Sequence, residues 1–342
     1  MSVLSRIYGR AAGLRRTWYD RPHRRRTLRR PVISVGNLVV GGSGKTPAVA
    51  TLARLLLDLG EQPAILSRGY GRRRSSDRVV VVSDGTNVLE PAARSGDEPQ
   101  MLARSLPGVP VVVAADRYAA GRVAESRFQC SVHLLDDGFQ HLRLARDVDL
   151  LVIGRADLEE QVLPSGRLRE DLAAGRAADA LLVMGGEEDG RIVSSAIGCE
   201  RVFRMVPRFE PVRAVRAGQA LPDVGPGRRA VAVAGIARPQ RFMASLRGSG
   251  WDVVREVVFR DHHWFSEDDL RGIARAAAET GAAAIVTTEK DAVRIDTDRL
   301  QALTQVPLAV LPMRVEVEPA AELRAWLAGR LKAARVRRWN AA

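Results

Sequence analysis

Residues 31–46 read Pro31-Val-Ile-Ser-Val-Gly-Asn-Leu-Val-Val-Gly-Gly-Ser-Gly-Lys-Thr46, and this stretch decides the fold. Val32, Ile33 and Val35 make a short apolar run suited to a buried strand. The glycines suit a loop, and Val49, Leu52, Leu55, Leu56 and Leu59 recur at helical spacing. Strand, glycine-rich loop and helix in that order are the layout of a P-loop. There the backbone N–H groups and the helix N-terminus surround phosphates, a lysine reaches the outer phosphates, and the next hydroxyl takes a magnesium ion. The pattern gives the first role to Lys45 and the second to Thr46, with Gly41, Gly42, Ser43 and Gly44 as the cradle. The general motif, G-x-x-x-x-G-K-[ST], has a glycine where this chain has Val39, so Gly41, Gly42 and Gly44 must supply the flexibility. Of 53 basic residues only Lys45, Lys290 and Lys332 are lysines. A lysine here, in so arginine-biased a chain, indicates that a compact ammonium is required rather than a planar guanidinium.

At 342 residues and 46% hydrophobic, the chain can bury a large core and is expected to divide into two domains. Cys130 and Cys199 are too few for a disulfide framework or a zinc site, which favours a reducing compartment. No apolar run reaches the length of a membrane span, and the N-terminus lacks the apolar core of a signal peptide. The net charge of +13 is concentrated: residues 1–30 hold ten arginines against one acid, Asp20. In the same segment Leu4, Ile7, Tyr8, Ala11, Leu14 and Trp18 repeat at helical spacing, with Arg15 intruding on the stripe. An apolar stripe carrying Trp and Tyr beside clustered arginines fits a helix lying on an anionic membrane surface. A solvated basic arm and a helix packed on its own protein are the alternatives.

Beyond the P-loop helix, residues 64–71 read as a strand entering a basic loop that carries Arg68, Arg72, Arg73 and Arg74. Ser95-Gly-Asp-Glu-Pro-Gln100 is a turn-like carboxylate pair before a helix. Residues 109–114 form a buried strand ending at Ala115-Asp-Arg117, and residues 131–135 another ending at Asp136-Asp137. An apolar strand tipped with an acid is the Walker-B arrangement for holding magnesium, and Gln140 and His141 follow at the same sheet edge. The alternation of strands and helices predicts a mainly parallel, doubly wound sheet. The expected organisation is a basic surface segment over 1–30, a P-loop domain over 31–205, a linker over 206–229 and a smaller α/β domain over 230–342.

Phosphoryl transfer to an alcohol needs cations on the phosphates, magnesium, and an acceptor for the hydroxyl proton. Lys45, Arg117 and the loop arginines supply the first. Thr46, Glu98, Asp136 and Asp137 are candidates for the metal, and Asp97, His141 and His262 for the proton. A GTPase or metal-insertion NTPase is disfavoured because Thr288-Glu-Lys-Asp291 puts the acid directly after Lys290, unlike the guanine-selecting Asn-Lys-x-Asp. A nucleotide-regulated nucleic-acid binder is disfavoured too, because the charge clusters at one end without an RNP-type aromatic motif or zinc-finger spacing.

The ordered blocks Val35-Gly-Asn-Leu, Gly41-Gly-Ser-Gly-Lys-Thr-Pro47, Ser67-Arg-Gly-Tyr-Gly71, Gly96-Asp-Glu-Pro99, Ala115-Asp-Arg117, Leu135-Asp-Asp-Gly-Phe-Gln-His141, Leu168-Arg-Glu170, Asp261-His-His263 and Thr288-Glu-Lys-Asp291 resemble the tetraacyldisaccharide 4'-kinase family of lipid A biosynthesis. The Val39 departure is shared by that family. The resemblance implies two α/β/α domains joined by a short β linker, at the cytoplasmic face of the bacterial inner membrane. It implies transfer of the ATP γ-phosphate, with magnesium, to the 4'-hydroxyl of an acylated disaccharide 1-phosphate. Carried over residue by residue, it makes Asp97 the base in a dyad with His262, His263 being the adjacent alternative. Glu98, Asp136 and Asp137 become the acidic magnesium and active-site positions, and Arg117, Gln140, His141, Arg169 and Glu170 further active-site positions.

Overall fold

The computed structural model of the chain describes residues 2–42, 44–72, 78–216, 221 and 228–340. The chain begins with α1 (Val3–Tyr19), β1 (Val32–Gly36), α2 (Lys45–Asp58), β2 (Pro63–Ser67), β3 (Val80–Ser83), α3 (Ala92–Ser95) and α4 (Asp97–Ser105). Next come β4 (Val111–Val113), α5 (Arg117–Arg127), β5 (Val132–Asp136), β6 (Val148–Gly154), β7 (Ala180–Met184), α6 (Glu187–Ile197) and β8 (Val202–Phe209). The remainder is β9 (Arg213–Ala214), β10 (Arg228–Ala234), α7 (Pro239–Gly248), β11 (Trp251–Val258), α8 (Glu267–Thr280) and β12 (Ala284–Thr287). It closes with α9 (Glu289–Ala292), α10 (Thr297–Leu303), β13 (Leu308–Val310), β14 (Met313–Glu318) and α11 (Ala320–Trp339).

Two sheets result: nine strands in the order β14-β8-β7-β6-β1-β5-β2-β4-β3, and five in the order β11-β10-β12-β13-β9. The expected mainly parallel, doubly wound sheet is borne out, with β3 and β14 as antiparallel additions. Strands β1, β2 and β5 are buried along their whole length, as a sheet with helices on both faces demands. Because side chains alternate across a strand, Ile33 and Val35 pack with α2, α4 and α11 on one face, while Val32 packs with α5 on the other. The small sheet is layered in the same way: Val231 and Val233 meet α8, and Ala232 and Ala234 meet α7.

Strand order positions the site. β1 lies between β5 and β6, so connections leave it in both directions and open a crevice beyond the strand C-termini, where open α/β sheets bind ligands. In the β1–β5 register Val35 faces Asp136, which sets the glycine-rich loop beside the acidic strand tip.

The domain boundaries differ from expectation at the C-terminus. Residues 313–339 belong with the nine-stranded sheet rather than the smaller unit: β14 pairs antiparallel with β8, and Leu323, Leu327 and Leu331 of α11 are buried in the same core as α2. The segment expected as a linker is partly strand, since β8 runs to Phe209 and β9 pairs with β13. The rest of it, residues 217–220 and 222–227, lies outside the described residues. The chain thus crosses to the small sheet after β8 and returns before β14, and the crossings are tied where the Glu210 N–H donates to the Pro312 carbonyl at 3.0 Å.

Candidate active site

The P-loop lysine is the first residue of α2, and Gly44 before it takes the left-handed conformation (φ 85°) that turns the chain into the helix. Thr46 follows and is buried. Ser43 lies outside the described residues, as do Arg73 and Arg74. The Lys45 ammonium donates to Oδ1 of Asn37 at 3.0 Å and lies 3.6 Å from Oδ1 of Asp137. Asp137 sits in the left-handed region (φ 55°), where the chain turns off β5, and its carboxylate accepts from Arg169 at 2.8 and 3.0 Å. Burial pushes Asp137 up, but Lys45 and Arg169 outweigh it and hold the carboxyl below its ordinary range. Gln140 completes this network, accepting from Arg169 at 3.3 Å and donating to the Asn37 carbonyl at 2.9 Å.

Asp136 is the opposite case. Wholly buried at the tip of β5, and facing Glu98 and Asp137, it is pushed up to about 7 by burial first and by those two charges second. One of its oxygens accepts from Ser67 at 3.2 Å, while the other is buried with no hydrogen-bond partner among the described residues. The same holds for Nε of Arg117 and Nε2 of His141. Burial lowers Arg117 to about 10, still charged at neutral pH, whereas burial and the Arg117 charge lower His141 to about 3 and keep it neutral. Buried polar atoms without protein partners, gathered at one sheet edge, mark groups whose partners come from outside the chain.

Those atoms fit magnesium. Among the described residues no three acidic, His or Cys side chains form a ready-made metal cage. Magnesium in phosphoryl-transfer sites needs none, since it takes one or two carboxylates and completes its shell with water and substrate phosphates. The buried oxygen of Asp136 and the acids around it match that donor set.

Asp97 opens α4 behind Gly96 (φ 92°), where a Cβ would lie 2.6 Å from the Tyr70 carbonyl, so only glycine lets the basic loop pass this closely. Its carboxylate reaches across to the other sheet: Oδ2 lies 2.8 Å from Nδ1 of His262, 3.9 Å from the Lys290 ammonium and 3.8 Å from Nε of Arg294. Burial raises Asp97, but the His262 hydrogen bond first and the Lys290 charge next hold it below its usual value. His262 stands in the left-handed conformation (φ 60°), whereas His263 turns away to bond Asp269 at 2.9 Å and stack on Phe259. The adjacent-histidine ambiguity is thereby resolved in the geometry. Lys290 also lies 3.8 Å from Glu98, so its ammonium faces both carboxylates at the start of α4.

Glu170 is placed differently from the other candidates. It is buried under α1, bonded to Arg16, whose guanidinium also lies 4.6 Å over the Phe139 ring. Asn37, Ser67, Lys290 and Arg294 are site residues to which sequence reasoning gave no role. An amide side chain directly after the apolar run of β1 and ahead of the glycine loop was the available signal for Asn37; the others depend on contacts between distant segments.

A charged loop, a buried acid lacking a full set of partners and a carboxylate clamped from a second lobe meet the needs of phosphoryl transfer to an alcohol, which places the chain among the P-loop kinases. Residues 1–332 match the family model described as tetraacyldisaccharide-1-P 4'-kinase, and the chain belongs to that family. It is 43% identical over 299 residues to tetraacyldisaccharide 4'-kinase of Geobacter metallireducens, covering 86% of this chain and 88% of that one. The Geobacter sulfurreducens enzyme of the same name is 40% identical over 330 residues, covering 94% and 90%. Among solved structures, the "apo" form of LpxK from Aquifex aeolicus in complex with ATP superposes with a TM-score of 0.76 at 31% identity, covering 96% of this chain and 97% of that one. The chain is therefore an enzyme, a kinase, and neither the GTPase nor the nucleic-acid reading is favoured.

Asp136 contributes a pH-dependent part of the stability of the free protein. Its folded-state value lies above the ordinary carboxyl range, so the native state binds more protons than the unfolded chain between about pH 4 and 7, and stability falls as pH rises through that window. Asp136→Asn removes this term. In urea denaturation at about pH 8 the variant is expected to be more stable than the parent by roughly 1–3 kcal/mol, and about equal to it at about pH 4. Identical pH dependence of the two proteins would refute the assignment.

Proposed function

We propose that this chain transfers the γ-phosphate of ATP to the 4'-hydroxyl of tetraacyldisaccharide 1-phosphate through the site built on Lys45, Asp136, Asp137 and Asp97. The observation that carries the reading is the Asp97–His262 contact of 2.8 Å, a buried carboxylate presented by the P-loop unit and secured by the other sheet. In this mechanism Asp97 accepts the hydroxyl proton as the sugar oxygen attacks. The O–H bond breaks, the new P–O bond forms, and the bond to the β-phosphate oxygen gives way to release ADP. Lys45 and the P-loop amides hold the outer phosphates, and Arg117 meets the charge that develops on the moving group. Thr46, Glu98, Asp136 and Asp137 would hold magnesium, which when bound neutralises phosphate charge. Arg169 and Gln140 keep Asp137 oriented, and the closed second lobe excludes water that would otherwise waste ATP.

The membrane surface is the proposed workplace, at the cytoplasmic face of the inner membrane. Among the described residues no helix is long and apolar enough to cross a bilayer. Instead α1 turns its polar side to the protein, through Ser5 to Ser165 at 2.8 Å, Arg15 to the Gln140 carbonyl at 3.1 Å and Arg16 to Glu170, and leaves its apolar stripe outside. Leu4 is 65%, Leu14 72% and Trp18 58% exposed, an orientation opposite to that of a helix packing on its own core. Gln140 and Glu170 border the site, so a lipid surface gripped by this stripe would deliver an acylated substrate beside the P-loop.

Two tests follow. Asp97→Ala is expected to lower kcat by roughly 10²–10⁴-fold and His262→Ala by at least roughly tenfold, each with ATP binding retained by calorimetry. Near-parental turnover in either variant would remove the dyad. Leu14→Glu combined with Trp18→Glu should abolish co-sedimentation with anionic vesicles while leaving the folded structure intact, and undiminished co-sedimentation would reject the membrane role of α1.

A further inference from the structure

The glycine-rich loop is not held by its own residues alone. Residues 38–40, the arm leading into it from β1, pair with residues 167–169. The Val40 N–H donates to the Arg167 carbonyl at 2.8 Å, the Arg169 N–H donates to the Leu38 carbonyl at 2.6 Å, and Val39 stands antiparallel to Leu168. Leu38, Val39 and Leu168 are buried together with Phe139. Val39, where the general motif has glycine, is thus a strand residue whose buried side chain helps secure the arm. The partner segment is itself tightly closed: the Leu168 N–H donates to the Gln161 carbonyl and the Leu163 N–H to the Leu168 carbonyl, both at 2.9 Å. A Cβ on Gly166 would lie 2.4 Å from the Gln161 carbonyl oxygen, so only glycine closes this turn.

That segment is in turn clasped by α1. The Ser5 hydroxyl donates to the Ser165 hydroxyl at 2.8 Å and accepts from the Ser165 N–H at 3.3 Å, while the Ser165 hydroxyl donates to Ser2 at 2.8 Å. Towards the other end of the helix, Arg16 pairs with Glu170, and Arg15 donates to the carbonyl of Gln140, whose side chain donates to the Asn37 carbonyl. Two hydrogen-bonded routes therefore join α1 to the P-loop arm, one through residues 165–169 and one through Gln140. None of these contacts uses the apolar stripe, since Leu4, Ile7, Leu14 and Trp18 are exposed. In water the stripe buries nothing and adds nothing to docking, and a lone 17-residue helix containing Gly9 and Gly13 has little stability of its own. A lipid surface covers the stripe without displacing a polar contact, so lipid favours the docked helix instead of competing for it.

We propose that α1 is a positioning element for the P-loop as well as a membrane contact: on a lipid surface it holds residues 161–170, and through them residues 38–40, in the phosphate-binding arrangement, so that lipid and nucleotide bind with positive coupling. The inference rests on the membrane reading of α1 and deepens it. Its two sites are the apolar stripe and the P-loop. Its two states are α1 docked on residues 165–170 with the arm paired, and α1 released with the arm lacking that support. Lipid favours the docked state through the stripe, and nucleotide favours it through the loop N–H groups that the paired arm presents. Because linkage is reciprocal, each ligand raises the affinity for the other by the same factor. An enzyme whose acceptor is carried by lipid then holds ATP best where the acceptor is.

The test uses the full-length protein, the magnesium complex of the non-hydrolysable analogue AMPPNP, and vesicles of phosphatidylglycerol and phosphatidylcholine without the acceptor lipid. Saturating vesicles should lower the Kd for AMPPNP by roughly five- to twentyfold, and saturating AMPPNP should raise partition onto vesicles by the same factor. Ser5→Ala combined with Ser165→Ala removes the clasp and leaves the stripe. This variant should still co-sediment, with both factors reduced to about twofold or less. Leu14→Glu combined with Trp18→Glu, which stays in solution, should show no vesicle effect on AMPPNP and so accounts for any direct action of the charged surface on the nucleotide. A vesicle-bound parent with an unchanged Kd for AMPPNP would overturn the proposal, as would a serine double variant that keeps the parent's full factor. A parent that never co-sediments would refute the membrane reading, and the coupling with it.

Discussion

One contact governs the structure: the 2.8 Å hydrogen bond between Asp97, on the P-loop unit, and His262, on the smaller sheet. A carboxylate as buried as Asp97 is costly unless it is bonded to donors or countered by charge, and its own helix offers Oδ1 only the Glu98 N–H. His262, Lys290 and Arg294, the partners that hold it ionised, all lie in or near the smaller sheet. Separating the lobes would strip those partners away and favour protonation of Asp97. If Asp97 is the base, as proposed, its ionised form is held when the lobes are together, which would couple the readiness of the site to closure over substrate.

The chain path suits such coupling. It leaves the large sheet after β8, builds the five-stranded sheet, and comes back as β14 alongside β8, so the two crossings lie next to each other. A pair of adjacent crossings constrains how one lobe moves against the other more than a single linker does. The return also explains why the last helix buries its leucines in the core that α2 shares: the C-terminus completes the P-loop unit instead of ending on the second one.

Legibility in the sequence followed the range of the interactions. The P-loop, the acids at the β5 tip and the strand-helix alternation are local patterns, and the structure places Lys45, Thr46, Asp136 and Asp137 where those patterns put them. The α1 stripe was equally visible, but whether it faced inward or outward depended on Arg16 meeting Glu170, more than 150 residues away. β14 was missed because the alternation of Val315 and Val317 tells of a strand without saying which sheet receives it. Lys290 stayed ambiguous for the same reason: its neighbours His262, Asp97 and Glu98 come from other segments of the chain.

The most direct measurement combines the purified protein with magnesium ATP, with and without tetraacyldisaccharide 1-phosphate, and follows ADP while phosphorus NMR locates the product phosphate. A closed, water-excluding site with Asp97 as its base predicts one new phosphomonoester on the 4' carbon for each ADP, and negligible ADP without the lipid. ADP released equally fast without the acceptor, or phosphate on another hydroxyl, would contradict it.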